Sequence, residues 1–279
     1  MLKAMLHFIF ISYNFLIMKQ FCILLFFSLM NFTLQAQKGI AYYGQIKSPG
    51  MRSASGPDLN AYLVFNQEHS YYVTAKDSLE KDLYDNQSIF KGNNEQQVAY
   101  NGGKTTRYGQ QVYYNRDKDS LWWSQRFRGN IYIAEERPII EWKLQSETKE
   151  IGNFKAHKAI GNFRGRTYTA WYTLQIPLPY GPWKLQGLPG LILEAYDQKK
   201  EMYLYFKNVE YPTTNEAPIS QVRRPGGDPD GWQTIQDFEK MERKSLVKAY
   251  NSMVLRAEKK GTEKPKKPVF QEIYIESFE

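Results

Sequence analysis

The chain has 279 residues, is 42% hydrophobic and 15% aromatic, and carries a formal net charge of +8 with a single cysteine. That is the composition of a globular chain rich in core formers, not of a disordered or collagenous one. One cysteine excludes a disulfide framework, and moderate positive charge without a recognisable binding module gives no expectation of a nucleic-acid partner.

The chain begins with a segment, Met1 to Ala36, that holds no Asp or Glu and is dominated by Phe, Leu, Ile and Met. Within it Met18 and Lys19 precede the apolar run from Phe21 to Met30, and Leu34-Gln35-Ala36 follows. A basic residue, a short apolar core and a small residue at the exit predict a secretory signal peptide over residues 1–36, with Met18 as the true start. From Met18 the core is shorter than the ~20 residues a spanning helix needs. Cys22 lies inside that run without the Leu-small-small triplet of a lipoprotein, so no lipid anchor is expected. The expected location is the periplasm, or the outer membrane and beyond. Removing Lys3 and Lys19 with the leader leaves residues 37–279 with a net charge of +6 and no cysteine. Such a domain contains no disulfide and no thiolate metal site, and must be held by its core alone.

The body then reads as short β-strands: 40–46, 62–65, 71–74, 111–114, 121–127, 131–133, 139–144, 167–172, 191–196 and 202–206, each rich in aromatic and β-branched residues. In Ile140-Glu141-Trp142-Lys143-Leu144 the alternation would turn Ile140, Trp142 and Leu144 inward. Asn115 to Ser120 is a polar hairpin tip. Residues 75–94 and 212–231 break the pattern and read as loops, the first with room for a short helix. No helical crossover separates the strands, which favours an antiparallel meander.

Between two of these strands lies Gly181-Pro182-Trp183-Lys184-Leu185-Gln186-Gly187-Leu188-Pro189-Gly190-Leu191-Ile192. Pro189 presets φ for a tight turn, and Gly190 is expected to take the positive φ of a type II turn. Gly181, Pro182, Gly187, Leu188, Pro189, Gly190, Leu191 and Ile192 therefore read as a structural corner feeding a buried strand, with no titratable group among them. Thr234 with Asp237 three residues on predicts a helix start. Ile235, Phe238, Leu246, Ala249, Tyr250, Met253 and Ala257 recur at helical spacing, and Gly261 ends a helix over 234–260. A last alternating strand is expected at 272–277.

The Gly-Pro-Trp to Gly-Leu-Pro-Gly-Leu-Ile block resembles the signature of the GLPGLI family of secreted Bacteroidetes proteins. The resemblance extends through Ile140 to Ala159 and through Arg164-Gly165-Arg166-Thr167-Tyr168-Thr169-Ala170-Trp171-Tyr172-Thr173. One departure is Ala156, where members commonly carry a cysteine. The family has no established activity. What the resemblance implies is an envelope setting, beside outer-membrane TonB-dependent receptors, in uptake or envelope assembly.

The expected fold is mainly β: one domain over 37–279 with a curved antiparallel sheet, an open half-barrel like that of periplasmic lipoprotein carriers, and one C-terminal amphipathic helix; a β-sandwich is the alternative. The chemistry is sparse. His69 and His157 have no metal-ligand spacing, and no G-x-S-x-G or phosphate loop occurs, so no catalytic residue, metal or cofactor is assigned. Trp122 and Trp123 are adjacent on a strand and must face opposite ways, so the sheet is covered on both faces or one ring is exposed. Aromatic side chains give large contact area at low entropic cost. Trp122, Trp123, Trp142, Trp171 and Trp183, with Arg164 and Arg166, are the candidate binding residues. The function these features favour is an exported, non-catalytic binding or accessory protein whose partner is an envelope protein, a peptide or a lipid. A lipid or lipoprotein carrier, or a hydrolase using Glu194, Asp197 or His157, are the alternatives. Lys244, Lys248, Lys259, Lys264, Lys266 and Lys267 add an expected contact with anionic membrane.

Overall fold

The computed structural model describes residues 19, 37–80, 89–91, 98–100, 105–126, 129–223, 231–269 and 275–276. The chain divides after Gln37 into two compact units, and the sheet strands and the long C-terminal helix all belong to the second, Lys38–Glu279. The expected leader apart from Lys19, and residues 272–274 and 277 of the expected last strand, lie outside the described residues.

Eleven strands form one antiparallel sheet: β1 (Gly39–Lys47), β2 (Asp58–Phe65), β3 (His69–Thr74), β6 (Gln110–Asn115), β7 (Ser120–Arg126), β8 (Asn130–Glu136), β9 (Lys143–Ile151), β10 (Phe154–Phe163), β11 (Arg166–Thr173), β12 (Leu191–Asp197) and β13 (Met202–Glu210). A separate pair, β4 (Ile89–Lys91) and β5 (Val98–Tyr100), falls between β3 and β6 in sequence. The order across the large sheet is β8-β7-β6-β3-β2-β1-β13-β12-β11-β10-β9. Two meanders are thus joined where the first strand pairs with the last, Ile40 opposite Glu210. The β-sandwich alternative is replaced, because these strands share one sheet.

Connectivity explains the curvature. Eleven flat strands would span about 48 Å, at ~4.8 Å per neighbour. Yet only residues 137–142 join β8 at one edge to β9 at the other. Seven Cα steps reach at most about 25 Å. The sheet must roll until its edges approach, and no pairing between β8 and β9 closes it. Arg164, in the β10–β11 turn, ion-pairs with Glu135 of β8 across that gap.

The connection also overturns one expected strand. Residues 137–142 carry no ladder, since Pro138 lacks a donor and the chain must cross from edge to edge. Ile140 is buried as the alternation implied, but Leu144 is 58% exposed. The strand starts at Lys143 and continues to Ile151, where Lys143, Glu147 and Glu150 put exposed charge on an unpaired edge.

Three apolar clusters hold the sheet. The largest gathers Tyr43, Phe65, Tyr72, Trp123, Leu193 and others from strands in both meanders around Ile176, Leu178, Tyr180 and Phe238. The second packs Leu185, Leu188 and Ile275 against Tyr168, Ala170 and Leu204. The third lies on the other side of β3 and β6, where Tyr71, Val73 and Tyr113 meet Val222. Trp123 belongs to the first cluster and Trp122 to the third, so this part of the sheet is covered on both faces.

The helix α1 (Ile235–Lys260) is capped as its sequence implied: Thr234 Oγ1 accepts from the Asp237 N–H, and Gly261 closes the end at φ 61°. Of its expected apolar face, Phe238 and Ala257 are buried, Ile235, Leu246, Ala249 and Tyr250 are half-buried, and Met253 is exposed. Glu242 is buried as well, while Val247 and Leu255, off that face, are more than half exposed.

The corner works by a different device from the expected one. Gly190 does not have positive φ; a Cβ there would stand 2.0 Å from the Thr173 carbonyl oxygen. Gly187 supplies the left-handed conformation instead, at φ 96°. Leu191 N–H donates to Ile176 O and Ile192 N–H to Tyr180 O, so the turn doubles back onto the segment before it.

Candidate functional site

The corner carries Lys184, a lysine 2% exposed in an otherwise apolar block. Its ammonium lies 2.7 and 2.9 Å from the two Glu276 carboxylate oxygens and 3.1 Å from the centre of the Trp123 ring. Trp123 in turn donates through Nε1 to Glu135 at 2.8 Å, and Glu135 receives Arg164. Next to this, Arg166 bridges Asp197 and Glu201, each at 2.7 Å, and donates through Nε to the Ile275 carbonyl. Glu242 of α1, 2% exposed, adds another carboxylate.

Burial governs the charges of this cluster. It pushes Lys184 down to about 8, against the pull of Glu276 and Glu135. It lifts Glu242 to about 8, and Glu276 adds to that rise. At Glu201 burial would raise the carboxyl, but Arg166 and the Arg52 N–H overcome it and hold it below its usual range. Lys184, Arg164 and Arg166 each have a carboxylate against them, and water is nearly excluded. Buried pairs of this kind lock geometry and offer little free valence to a ligand.

A second polar region is built on the opposite principle. Tyr62, Tyr71, Tyr113 and Trp122 stand on consecutive strands β2, β3, β6 and β7; Tyr71 pairs with Tyr113, and Tyr113 with Trp122. Edge and tilted ring contacts of 6.4 Å for Tyr62–Tyr71 and 5.7 Å for Tyr113–Trp122 join the row. A strap from Pro218 to Arg223 crosses it, Val222 resting on the middle. On one side of Val222 is a cleft of about 360 Å³ lined by Tyr62, Tyr71, Lys76, Arg107, Tyr108, Pro218, Ser220 and Arg223. On the other is a smaller one of about 160 Å³, with Tyr113, Asn115, Lys118, Trp122, Gln221 and Trp232.

The strap is held by a buried glutamine. Gln111, 1% exposed, accepts from the Arg223 N–H at 2.8 Å and donates to its carbonyl at 3.0 Å, so one side chain imitates a strand partner. Tyr71 Oη also donates to Gln111 at 2.8 Å. Lys76 lies over Tyr62, Arg107 over Tyr108 and Lys118 over Trp122, at 5.6 to 5.8 Å from the ring centres. Among the described residues no carboxylate ion-pairs with Lys76, Arg107 or Arg223.

The expected binding residues are therefore divided. Trp123, Arg164, Arg166 and Trp183 meet at the buried cluster, Trp183 at φ 59° with its ring against Phe163. Trp142 donates to Gln186 O beside it. Trp171 is buried under Lys149, whose ammonium is 4.5 Å from its ring centre. Trp122 alone lies on the strap side. Glu194 pairs with Lys149 and Asp197 with Arg166, while His157 packs against Tyr172, so three different neighbours hold the three residues of the hydrolase alternative. Among the described residues no group of His, Cys, Asp and Glu is arranged to hold a metal.

Reading charges as surface groups hid Lys184, Glu276, Glu242 and Glu135. A lysine between Trp183 and Leu185 in an apolar block was the available signal. Nothing local marks Arg107 and Arg223, which meet only after the strands pair.

Fold and site together define a mainly β protein built on one eleven-stranded sheet, with a buried cluster of paired charges and an open cationic, aromatic cleft. A family model described as a protein of unknown function, Porph_ging, matches residues 163–194, the stretch that contributes Arg164, Arg166 and Lys184 to the buried cluster. No curated protein matches the chain. Among solved structures, PNGF-II in two crystal forms is similar at 13% and 14% identity, with TM-scores of 0.46 and 0.47. Each match covers 74% of this chain but only 33% and 32% of PNGF-II, so this chain spans about a third of that protein's length.

Proposed function

We propose that this is an exported binding protein of the bacterial cell envelope, a member of the GLPGLI family, whose ligand-facing surface is the strap-covered cleft and not the Gly-Pro-Trp corner. The observation that carries this reading is the contrast in free valence. Lys76, Arg107 and Arg223 stand over or beside tyrosine rings in a cleft of about 360 Å³ with no carboxylate among its described lining residues. That size lies within the ~300–1,000 Å³ of small-molecule sites. The leader sends the chain across the inner membrane, and an accessory role beside a TonB-dependent receptor in uptake or envelope assembly follows from the family resemblance.

The test has two parts. Mass spectrometry of chain purified from the periplasmic or outer-membrane fraction should place the new N-terminus after Ala36. Tagged chain incubated with envelope extract should retain material that a Trp122→Ala, Arg223→Gln variant of equal melting temperature does not. Retention unchanged in that variant overturns the cleft as the binding surface. Co-purifying lipid held in both would favour the carrier alternative.

A further inference from the structure

Resting on that reading of the cleft, we propose that its ligand is an acidic oligosaccharide, with sugar ring faces against the aromatic row and ring-borne anions on Lys76, Arg107, Arg223 and, across the strap, Lys118. The charge argument comes first. The larger cleft presents three cations and no described carboxylate. A neutral ligand would leave that charge uncompensated, whereas carboxylate or sulfate groups would form charge-assisted hydrogen bonds, bidentate at the two guanidiniums.

Shape then selects a sugar. The rings a ligand can reach stand at the two ends of the row: Tyr62 and Trp122 are half-buried, while Tyr71 and Tyr113 are buried between them under Val222. They lie three strands apart, about 14 Å at ~4.8 Å per step, and C–H faces of a pyranose lie against such rings. The strands beneath, β2, β3, β6 and β7, are each paired on both sides, so an extended peptide cannot add itself to the sheet here. The polar, cationic wall is equally unsuited to an acyl chain.

Preorganisation distinguishes this site from a chance collection of surface cations. Gln111 fixes the Arg223 backbone from both its N–H and its carbonyl, so the guanidinium is carried by a strap with a defined seat. Gln111 is thus a positioning residue. Val222 divides the row into two cavities, each pairing an aromatic face with a cation: Tyr62 with Lys76, and Trp122 with Lys118. Two such units suit a repeating ligand that passes beside the strap.

Titration calorimetry on the whole chain at low salt tests this with four probes: an oligogalacturonide, a heparin oligosaccharide, maltohexaose and poly-glutamate. One or both acidic saccharides should bind at least tenfold more tightly than maltohexaose and poly-glutamate, and the arm that binds identifies the anion as carboxylate or sulfate. Arg107→Gln with Arg223→Gln should weaken that binding at least tenfold while the melting temperature stays unchanged. Gln111→Leu should weaken it less, and Gln111→Glu, which keeps the acceptor for the Arg223 N–H but loses the donor to its carbonyl, should restore it in part. Poly-glutamate binding equal to the saccharides would overturn the sugar, leaving charge alone. Maltohexaose binding equally, sensitive to Trp122→Ala but not to the arginine changes, would overturn the acidic class and leave the cleft as a binding surface. No saccharide binding of any kind overturns the inference, while envelope material lost on changing Trp122 would still support the broader reading.

Discussion

The buried cluster around Lys184 and the cleft under the strap use the same residue types to opposite ends. In the cluster Lys184, Arg164 and Arg166 are each matched by Glu276, Glu135, Asp197 or Glu201, and the side chains of Lys184, Glu135, Glu201 and Glu276 are no more than 5% exposed. In the cleft Lys76, Arg107 and Arg223 lie against rings and open space. Charge satisfied inside the fold contributes shape; charge left over at a surface contributes recognition. Variants of the first region should therefore move stability, and those of the second should move binding.

The largest effect is expected at Lys184. Lys184→Ala leaves the Glu276 carboxylate buried without its main partner, at a cost of about 3–5 kcal/mol. Urea unfolding monitored by tryptophan fluorescence measures it, and Lys184→Met combined with Glu276→Leu should recover much of the loss. A loss under about 1 kcal/mol for Lys184→Ala would break the comparison, because the cluster would then not be structural.

Gly190→Ala should come next, at about 1–3 kcal/mol, since the new methyl must displace the Thr173 backbone. Gly187→Ala, with more open space but φ 96°, should cost about 1 kcal/mol. The reverse order in thermal unfolding would restore positive φ as the reason for the second glycine of the corner.

Glu242 gives the cluster a pH signature. Its carboxyl titrates at about 8 when folded, against 4.5 for an ordinary glutamate, so the folded chain holds the extra proton between these values. Its contribution to stability is fully present below pH 4.5, is lost as pH rises to 8, and is flat above; the slope is at most about 1.4 kcal/mol per pH unit. Glu242→Gln should flatten that fall in a series of denaturation curves from about pH 5 to 8. An unchanged slope would mean that α1 docks without regard to this charge.

The cleft variants should barely register on the same instruments. Arg107→Gln with Arg223→Gln is expected to shift stability by no more than about 0.5 kcal/mol. Smallest of all for the fold are Lys264→Gln, Lys266→Gln and Lys267→Gln, exposed tail positions of which Lys264 ion-pairs with Glu258. Their expected effect is on sedimentation with anionic liposomes, which should be salt-sensitive in the parent chain and weaker in the triple variant. Salt-insensitive sedimentation would leave the tail as solubilising charge.

Much of the architecture could be read from local pattern. Strand alternation, the polar tip at Asn115 to Ser120 and the caps Thr234 and Gly261 are short-range devices, and each sits where its chemistry requires. Adjacent Trp122 and Trp123 correctly implied a sheet covered on both faces, because side-chain alternation is a property of the strand itself. Ile139 to Leu144 misled, since alternation also arises where a crossing segment buries every second side chain without pairing. Gly190 misled for a related reason: the Thr173 carbonyl that excludes a Cβ comes from the end of another strand. The cleft was the least legible part, as Lys76, Arg107 and Arg223 are brought together by strand order and by one glutamine.

The pairing of β1 with β13 has a consequence for how the chain reaches its fold. Tyr42 bonds Glu210 across the seam, 168 residues later in sequence. Under the proposed export, a chain that emerges from a translocon amino end first must complete β1, β2 and β3 long before β13 arrives. During that interval one side of β1, with its apolar Ile40, Ala41 and Tyr43, is an unpaired template for any passing strand. Contacts of such long range form slowly, and intermediates with open edges associate. Refolding should consequently be slow and sensitive to protein concentration, and in the cell this protein would depend on a holdase that shields an extended strand until its partner has crossed the membrane.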